Sequence, residues 1–220
     1  MTNIPNIFFQ TSKNNQPQYI IDMIQPKIPG WNYIHFNDDA VIQFFEQNYI
    51  VGRFENIIEK FDSIPIGATK ADLFRYYFLY LNGGVFMDSD AMLLVNIDEI
   101  VRDYSFFSVN TYVSDEPAIF QGFIGCTPHN PIIERALIDL YNTPVDEIIE
   151  DFHRQPKKMY EYYHEDNQTN KVLYGESHLD NPKYSTVWGC TDGSIKEDTK
   201  KILKHYYVDK IVPRGSKKAN

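Results

Sequence analysis

Cysteine is scarce in this sequence. Only Cys126 and Cys190 occur, without metal-ligand spacing, which rules out a disulfide framework. Long apolar runs are also missing. No stretch approaches the length of a membrane span, and the N-terminus lacks a basic-then-apolar signal. A soluble, cytoplasmic protein with no integral membrane segment is the expectation. Basic residues are outnumbered, 21 Lys and Arg against 30 Asp and Glu, for a formal charge of −9. Nucleic acid and anionic membranes call for a basic patch. Only Lys196 to Lys204, mixed with acids, and Lys217-Lys218 gather positive charge, so no nucleic-acid partner is expected. Tryptophan is rare at 2 copies, yet 16 Tyr and 15 Phe lift the aromatics to 15%, a richness that suits sugar-facing surfaces and ordinary cores equally. No internal repeat or low-complexity linker divides the 220 residues. One domain over 1–212 is expected, followed by a tail at 213–220.

Against these absences, one stretch concentrates the chemistry: ATKADLFRYYFLYLNGGVFMDSD, from Ala68 to Asp90. Ala68, Asp72, Arg75 and Leu79 recur at helical spacing and share one stripe, while Leu73, Phe74, Tyr77, Phe78 and Leu81 give a broad apolar face. Asp72 and Arg75 therefore project together. Taken alone they read as an exposed ion pair, which contributes roughly 0.2–0.5 kcal/mol. Asn82-Gly83-Gly84 ends the helix, because glycine reaches the left-handed conformation a helix terminus favours. Val85-Phe86-Met87 is short and apolar, and reads as a buried strand.

Asp88-Ser89-Asp90 follows where that strand leaves the sheet, the edge at which ligands of open α/β sheets bind. Two carboxylates there repel one another unless a cation lies beside them. Hard oxygen ligands suit Mg²⁺ or Mn²⁺, which commonly also hold substrate phosphates. The plain alternative is a strand-end turn, where Asp and Ser are common. A D-x-D on its own says little. One that follows an apolar strand, Gly-Gly and a helix with Asp and Arg on one face says much more.

These residues, Ala68, Asp72, Arg75-Tyr76, Leu79-Tyr80, Gly83-Gly84-Val85-Phe86, Asp88 and Asp90, resemble the sugar-nucleotide site of glycosyltransferase family 32 and of the glycosylating domains of large clostridial toxins. Ala71 replaces a usual Ser and Phe86 a usual Tyr; every charged position is kept. Ile4 to Thr11 is similar to the family's opening strand, and Pro29 to Asp39 to its second strand and next helix start. Ser12 stands where the family has an aromatic under the nucleotide base, which leaves Phe9 or a loop aromatic to serve.

The resemblance implies a single-domain α/β, A-type glycosyltransferase fold, with a Rossmann-like mixed, mostly parallel sheet and helices on both faces. It also implies a metal-dependent, retaining transfer of a sugar from a UDP- or GDP-linked donor to a glycan or protein acceptor. Asp88 and Asp90 would hold Mn²⁺ or Mg²⁺, with Asp90 the more direct ligand. Asp72, Arg75 and Asp88 would be catalytic, and together with Gln10, Thr11, Gln121 and Trp188 would contact substrate. His178 and His205 compete for a third metal position, and Trp188 is the candidate lid aromatic.

Along the chain, strands are expected at 4–11, 31–36, 92–95, 106–109, 118–126 and 171–174. Helices are expected at 17–25, from Asp38 or Asp39 as cap to about Asn48, at 53–61 and at 131–142. An amphipathic helix pair over 143–170 would cover the acceptor side, and 176–193 reads as a long turn-rich loop. Two rival functions share the motif. A haloacid-dehalogenase-type phosphatase would use the first Asp as nucleophile, and a non-catalytic nucleotide-sugar binder would keep the fold without the chemistry.

Overall fold

The computed structural model describes residues 4–177, 184–191, 195, 196 and 198–206. Ile7–Thr11 (β1) and Asn32–Phe36 (β2) run parallel, and Gly84–Met87 (β3) lies parallel to β1 on its other side. Such neighbours require crossovers. Gln18–Ile24 (α1) makes the first, and Asp38–Gln47 (α2), Ile57–Ser63 (α3) and Gly67–Asn82 (α4) make the second. Ala91–Leu93 (β4) and a short helix, Asp98–Val101 (α5), follow β3. Phe106–Val113 (β5) and Glu116–Cys126 (β6) form a hairpin, and β6 also pairs antiparallel with β3. Pro131–Asn142 (α6), Val145–Glu150 (α7) and Arg154–Glu165 (α8) lead to Lys171–Ser177 (β7), Tyr184–Trp188 (β8) and Lys201–Tyr206 (β9).

The sheet order is β2-β1-β3-β6-β5-β7-β8-β9-β4. β3 is third in that row and β4 last, yet only Asp88 to Asp90 join them. Six strand spacings in a flat sheet would separate them by roughly 29 Å. Four peptide steps reach at most about 14 Å. The sheet must therefore curl until its far edge returns beside β3, and the acidic turn lies at that closure.

The mixed sheet with helices on both faces matches the expected class. Its pairings differ from the expected parallel majority: three are parallel and five antiparallel. The β5–β6 turn explains part of this. Ser114 and Asp115 have φ of 51° and 65°, the left-handed pair that a tight hairpin requires. β8 also corrects the expected loop over 176–193, since Tyr-Ser-Thr-Val-Trp forms a strand there. β9 was not anticipated at all. The helix expected at 53–61 forms at Ile57–Ser63 instead, after Phe54 takes a φ of 55°. Asn37, rather than Asp38 or Asp39, caps α2, accepting a bond from the Ala40 N–H at 2.9 Å.

α4 is the central element. Nine of its residues are buried, Thr69 and the unbroken run Leu73 to Tyr80, so it is enclosed rather than laid on a surface. On its side of the sheet Phe9, Phe45, Phe74, Tyr77, Phe106 and Leu137 form one core. Phe8, Val85, Met87, Ile97, Phe107 and Leu203 form a second on the opposite face, under α1 and α5. Phe9 is fully buried, with its ring centroid 4.2 Å from that of Phe78, and is unavailable to a nucleotide base. Gly83 and Gly84, at φ 64° and 100°, turn the chain from α4 into β3. A Cβ at Gly83 would stand 2.7 Å from the Cys126 carbonyl oxygen, and one at Gly84 2.7 Å from that of Ile7. No described helix is long and apolar enough to cross a membrane.

Candidate active site

The acidic turn is held by its backbone. The Asp88 N–H donates to the Gly122 carbonyl on β6 at 2.8 Å, and the Ala91 N–H to the Asp88 carbonyl at 3.1 Å. Gln10, fully buried at the end of β1, donates from Nε2 to the Asp88 carbonyl at 2.9 Å and accepts from the Tyr33 hydroxyl at 3.0 Å. Gln16 donates to the Ser89 carbonyl at 3.2 Å. Gln10 is thus a brace beneath the turn rather than a surface for substrate. Gly122 is needed for the opposite reason: a Cβ there would meet Asp88 Oδ2 at 2.2 Å.

Arg75 ties α4 to this turn. Its Nη2 lies 3.3 Å from Asp72 Oδ1 and 3.5 Å from Asp88 Oδ1. Nη1 donates to the Gln121 carbonyl at 2.6 Å, Nε to the Ala71 carbonyl at 3.2 Å, and the guanidinium packs 4.1 Å from the Phe86 ring centroid. The Asp72–Arg75 pair is therefore not the exposed surface pair its spacing alone suggests; the Arg75 side chain is 5% exposed and Asp72 15%. Burial drives the Asp72 carboxyl up to about 6 from its ordinary 3.8, against the lowering effect of Arg75 and with a further push from Asp88. Gln121 is buried beside this group, and its Nε2 has no hydrogen-bond partner among the described residues.

β9 supplies the remaining member. Ala91 of β4 pairs with His205, and the Tyr206 N–H donates to the Asp90 carbonyl at 3.0 Å. His205 Nε2 consequently lies 3.0 Å from Asp90 Oδ1 and 3.6 Å from Asp88 Oδ2. One ligand atom each from Asp88, Asp90 and His205 falls within 4.8 Å of the others. Burial alone would lower the imidazole pKa. The bond to Asp90 and the charges of Asp88, Asp90 and Glu176 more than offset that and raise it. Of the two competing histidines, His205 reaches the acids; His178 lies outside the described residues.

A cavity of about 600 Å³ opens from the turn along the start of α4. Asp88, Ser89, Asp90 and Arg75 line it together with the apolar Phe36, Val41, Phe61, Pro65 and Phe74 and with Thr11, Ser12 and Lys13. The volume falls within the range of small-molecule sites. Thr11 thus borders the cavity. Ser12 donates to the Asn14 carbonyl at 2.7 Å and contacts His35 Nε2 at 2.8 Å. Trp188 is not brought to this place. It pairs with Lys201, at the other end of the β8–β9 ladder from His205, and donates to Ser177 Oγ at 3.2 Å.

Residues 14–107 match the family described as glycosyltransferase sugar-binding region containing DXD motif. Over 139 residues the chain is 27% identical to inositol phosphoceramide mannosyltransferase 1 of Schizosaccharomyces pombe, an alignment covering 63% of this chain and 39% of that protein. Over 70 residues it is 37% identical to the initiation-specific alpha-1,6-mannosyltransferase of Saccharomyces cerevisiae, covering 32% and 14%. The chain thus spans about two fifths of the first relative's length and less of the second. The solved structure of PaToxG glycosyltransferase superposes with a TM-score of 0.55 at 15% identity, over 74% of this chain and 70% of that one, and so shares the fold. The family match runs through the helix and strand that carry Asp72, Arg75, Asp88 and Asp90, and over that part it relates the chain to the glycosyltransferases with a DXD sugar-binding region.

Proposed function

We propose that the chain is a metal-dependent glycosyltransferase that moves a sugar from a nucleotide-sugar donor to an acceptor hydroxyl. The observation that carries this reading is the convergence of Asp88, Asp90 and His205, two of which line a cavity of about 600 Å³. Two carboxylates and an imidazole fit a divalent first-row ion. The nitrogen ligand favours Mn²⁺ over Mg²⁺, which prefers an all-oxygen shell. A bound cation would supply positive charge against the departing diphosphate.

The rest of the chemistry falls to the chain's own groups. Arg75 is fixed by four partners, so its guanidinium meets substrate without reorganising. Asp72, raised to about 6, accepts from a sugar hydroxyl when ionised. Gln121 Nε2, buried and without a partner among the described residues, donates to the same sugar. The apolar lining of the cavity takes the base, with Phe36 and Phe61 in place of the aromatic missing at Ser12. In this reading, residues 1–212 act as one catalytic domain, the two α7–α8 helices cover the acceptor side, and the transfer is retaining, with attack by the acceptor from the leaving-group face. The relatives' names support mannose as the sugar, and a glycan or glycolipid headgroup as acceptor.

The family match favours this reading over a phosphatase. It is tested with a panel of UDP- and GDP-linked sugars, by following release of nucleoside diphosphate with and without Mn²⁺. The expected result is metal-dependent release from at least one donor, abolished by Asp90→Ala. Undiminished release by that variant would overturn the assignment, and absence of release from every donor would leave only a binding module.

A further inference from the structure

A second, much smaller opening borders the candidate site. It is a crevice of about 10 Å³, lined by Thr69 and Asp72 of α4, by Asp151 and Phe152 between α7 and α8, and by Gln155 of α8. Such a space admits one water-sized group. It begins one guanidinium away from the acidic turn, since Arg75 Nη2 lies 3.3 Å from Asp72 Oδ1 and 3.5 Å from Asp88 Oδ1.

Gln155 gives the crevice its polarity. The residue is 5% exposed, and its amide is fixed. Nε2 donates to Asp139 Oδ2 of α6 at 2.8 Å, and Asp139 is itself held by Arg154, whose Nη2 donates to Oδ1 at 2.8 Å. That bond decides which way the amide points, because the flipped form would set a carbonyl oxygen against a carboxylate. Oε1 is left as a buried acceptor with no partner among the described residues. A buried acceptor without a donor costs roughly 1–3 kcal/mol. The group that fits this crevice is therefore small and brings a proton to donate.

Phe152 borders the same crevice and is 49% exposed, an apolar ring left open beside a polar slot. A pyranose matches both features. Its hydroxyls donate and accept, and its C–H faces pack on aromatic surface. We propose that the crevice is an acceptor subsite and that the acceptor is a sugar-like ring: one of its non-reacting hydroxyls enters between Asp72 and Gln155 and donates to Gln155 Oε1, while a ring face packs on Phe152. The assignment rests on the glycosyl-transfer reading above, and adds to it the residues and the substrate class of the acceptor side. A peptide hydroxyl has no ring face to set on Phe152, and a water alone leaves Phe152 uncovered.

The test uses the full chain with Mn²⁺ and whichever nucleotide sugar it hydrolyses. Hydrolysis is followed beside transfer to methyl pyranosides of mannose, glucose and galactose. Gln155→Leu keeps the bulk and removes the acceptor oxygen. It is expected to lower kcat/KM for the glycoside by about 10-fold, more than it changes hydrolysis of the same donor. Phe152→Ala alters a half-exposed side chain and is expected to raise the glycoside KM by about 5-fold with little change in kcat, while Phe152→Trp restores it. Equal losses of transfer and hydrolysis would trace the effect to the donor side or to folding, and overturn the assignment. Wild-type transfer by both variants would overturn it too, leaving a buried water in the crevice. So would transfer to a serine-containing peptide but to none of the glycosides, or hydrolysis with transfer to neither. Absence of hydrolysis from every donor is the separate failure: the transfer reading falls and takes this subsite with it.

Discussion

The guanidinium of Arg75 addresses the Gln121 carbonyl, the Asp72 carboxylate and the Asp88 carboxylate from differently aimed nitrogens, while its flat face lies on Phe86. A lysine keeps the charge but none of that fork geometry. Arg75→Lys is therefore expected to lower donor turnover by about 100-fold, the scale of a displaced catalytic constellation; nucleoside diphosphate release at saturating donor measures it. Asp72 makes a second prediction. Its folded pKa of about 6 lies above the ordinary 3.8, so its contribution to stability is full below pH 3.8 and is lost as pH rises through 6. Asp72→Asn removes that penalty, at most roughly 3 kcal/mol, and the lost partner of Arg75 takes part of the gain back. Urea unfolding should show the variant gaining on the wild type between pH 4 and pH 8; a difference independent of pH would contradict the burial argument. The spacing of Asp72 and Arg75 was readable because a helix fixes which residues share a stripe. Their burial was not readable, since nothing local says that β6 closes over them. Asn37, Asp38 and Asp39 are all capping types in a row, and only the backbone conformation of Asn37 decides which of them caps.

At the level of elements, α4, β3 and the acidic turn were legible as a unit because each boundary carries its own signal. Gly83 is the clearest. Its backbone at φ 64° and ψ −156° is one that other residues avoid, and β6 and Pro128 crowd the space where a side chain would go. Gly83→Ala is expected to destabilise by about 2–4 kcal/mol. Gly67, at the other end of α4, has open space at its Cβ position and no positive φ. Gly67→Ala should be neutral or stabilise by up to roughly 1 kcal/mol. Denaturant midpoints of the two variants give the comparison. β8 and β9 were harder to read. Tyr184 to Trp188 has strand-favouring residues, but the turn-formers before it dominate that window. Lys201 to Tyr206 reads as part of a mixed charge cluster, and its strand character comes from pairing with β8 and β4. The choice between His178 and His205 depended on that pairing, so no local pattern could make it.

For the whole molecule, the closure of the curled sheet is the organising fact. The two acids lie between β3 and β4, and the histidine arrives on the strand that holds β4 in place. A cation bound there would cross-link the far edge of the sheet to the end of β3 and stabilise the fold by mass action. At 100 times its dissociation constant the gain is about 2.7 kcal/mol, or roughly 5–10 °C in Tm for a chain of this size. Differential scanning calorimetry with Mn²⁺ and with EDTA measures it, and His205→Ala should lose most of the shift. The same closure bears on how the molecule assembles. Asp90 and His205 are 115 residues apart in sequence, and contacts of that span form late because so much chain must first be ordered. A growing or refolding chain can complete β1, β3 and the helices between them while its acids still lack an imidazole. On the proposed reading, the last strand to be synthesised among the described residues would also be the one that completes the cation site, so partly folded molecules would lack it until that strand docks.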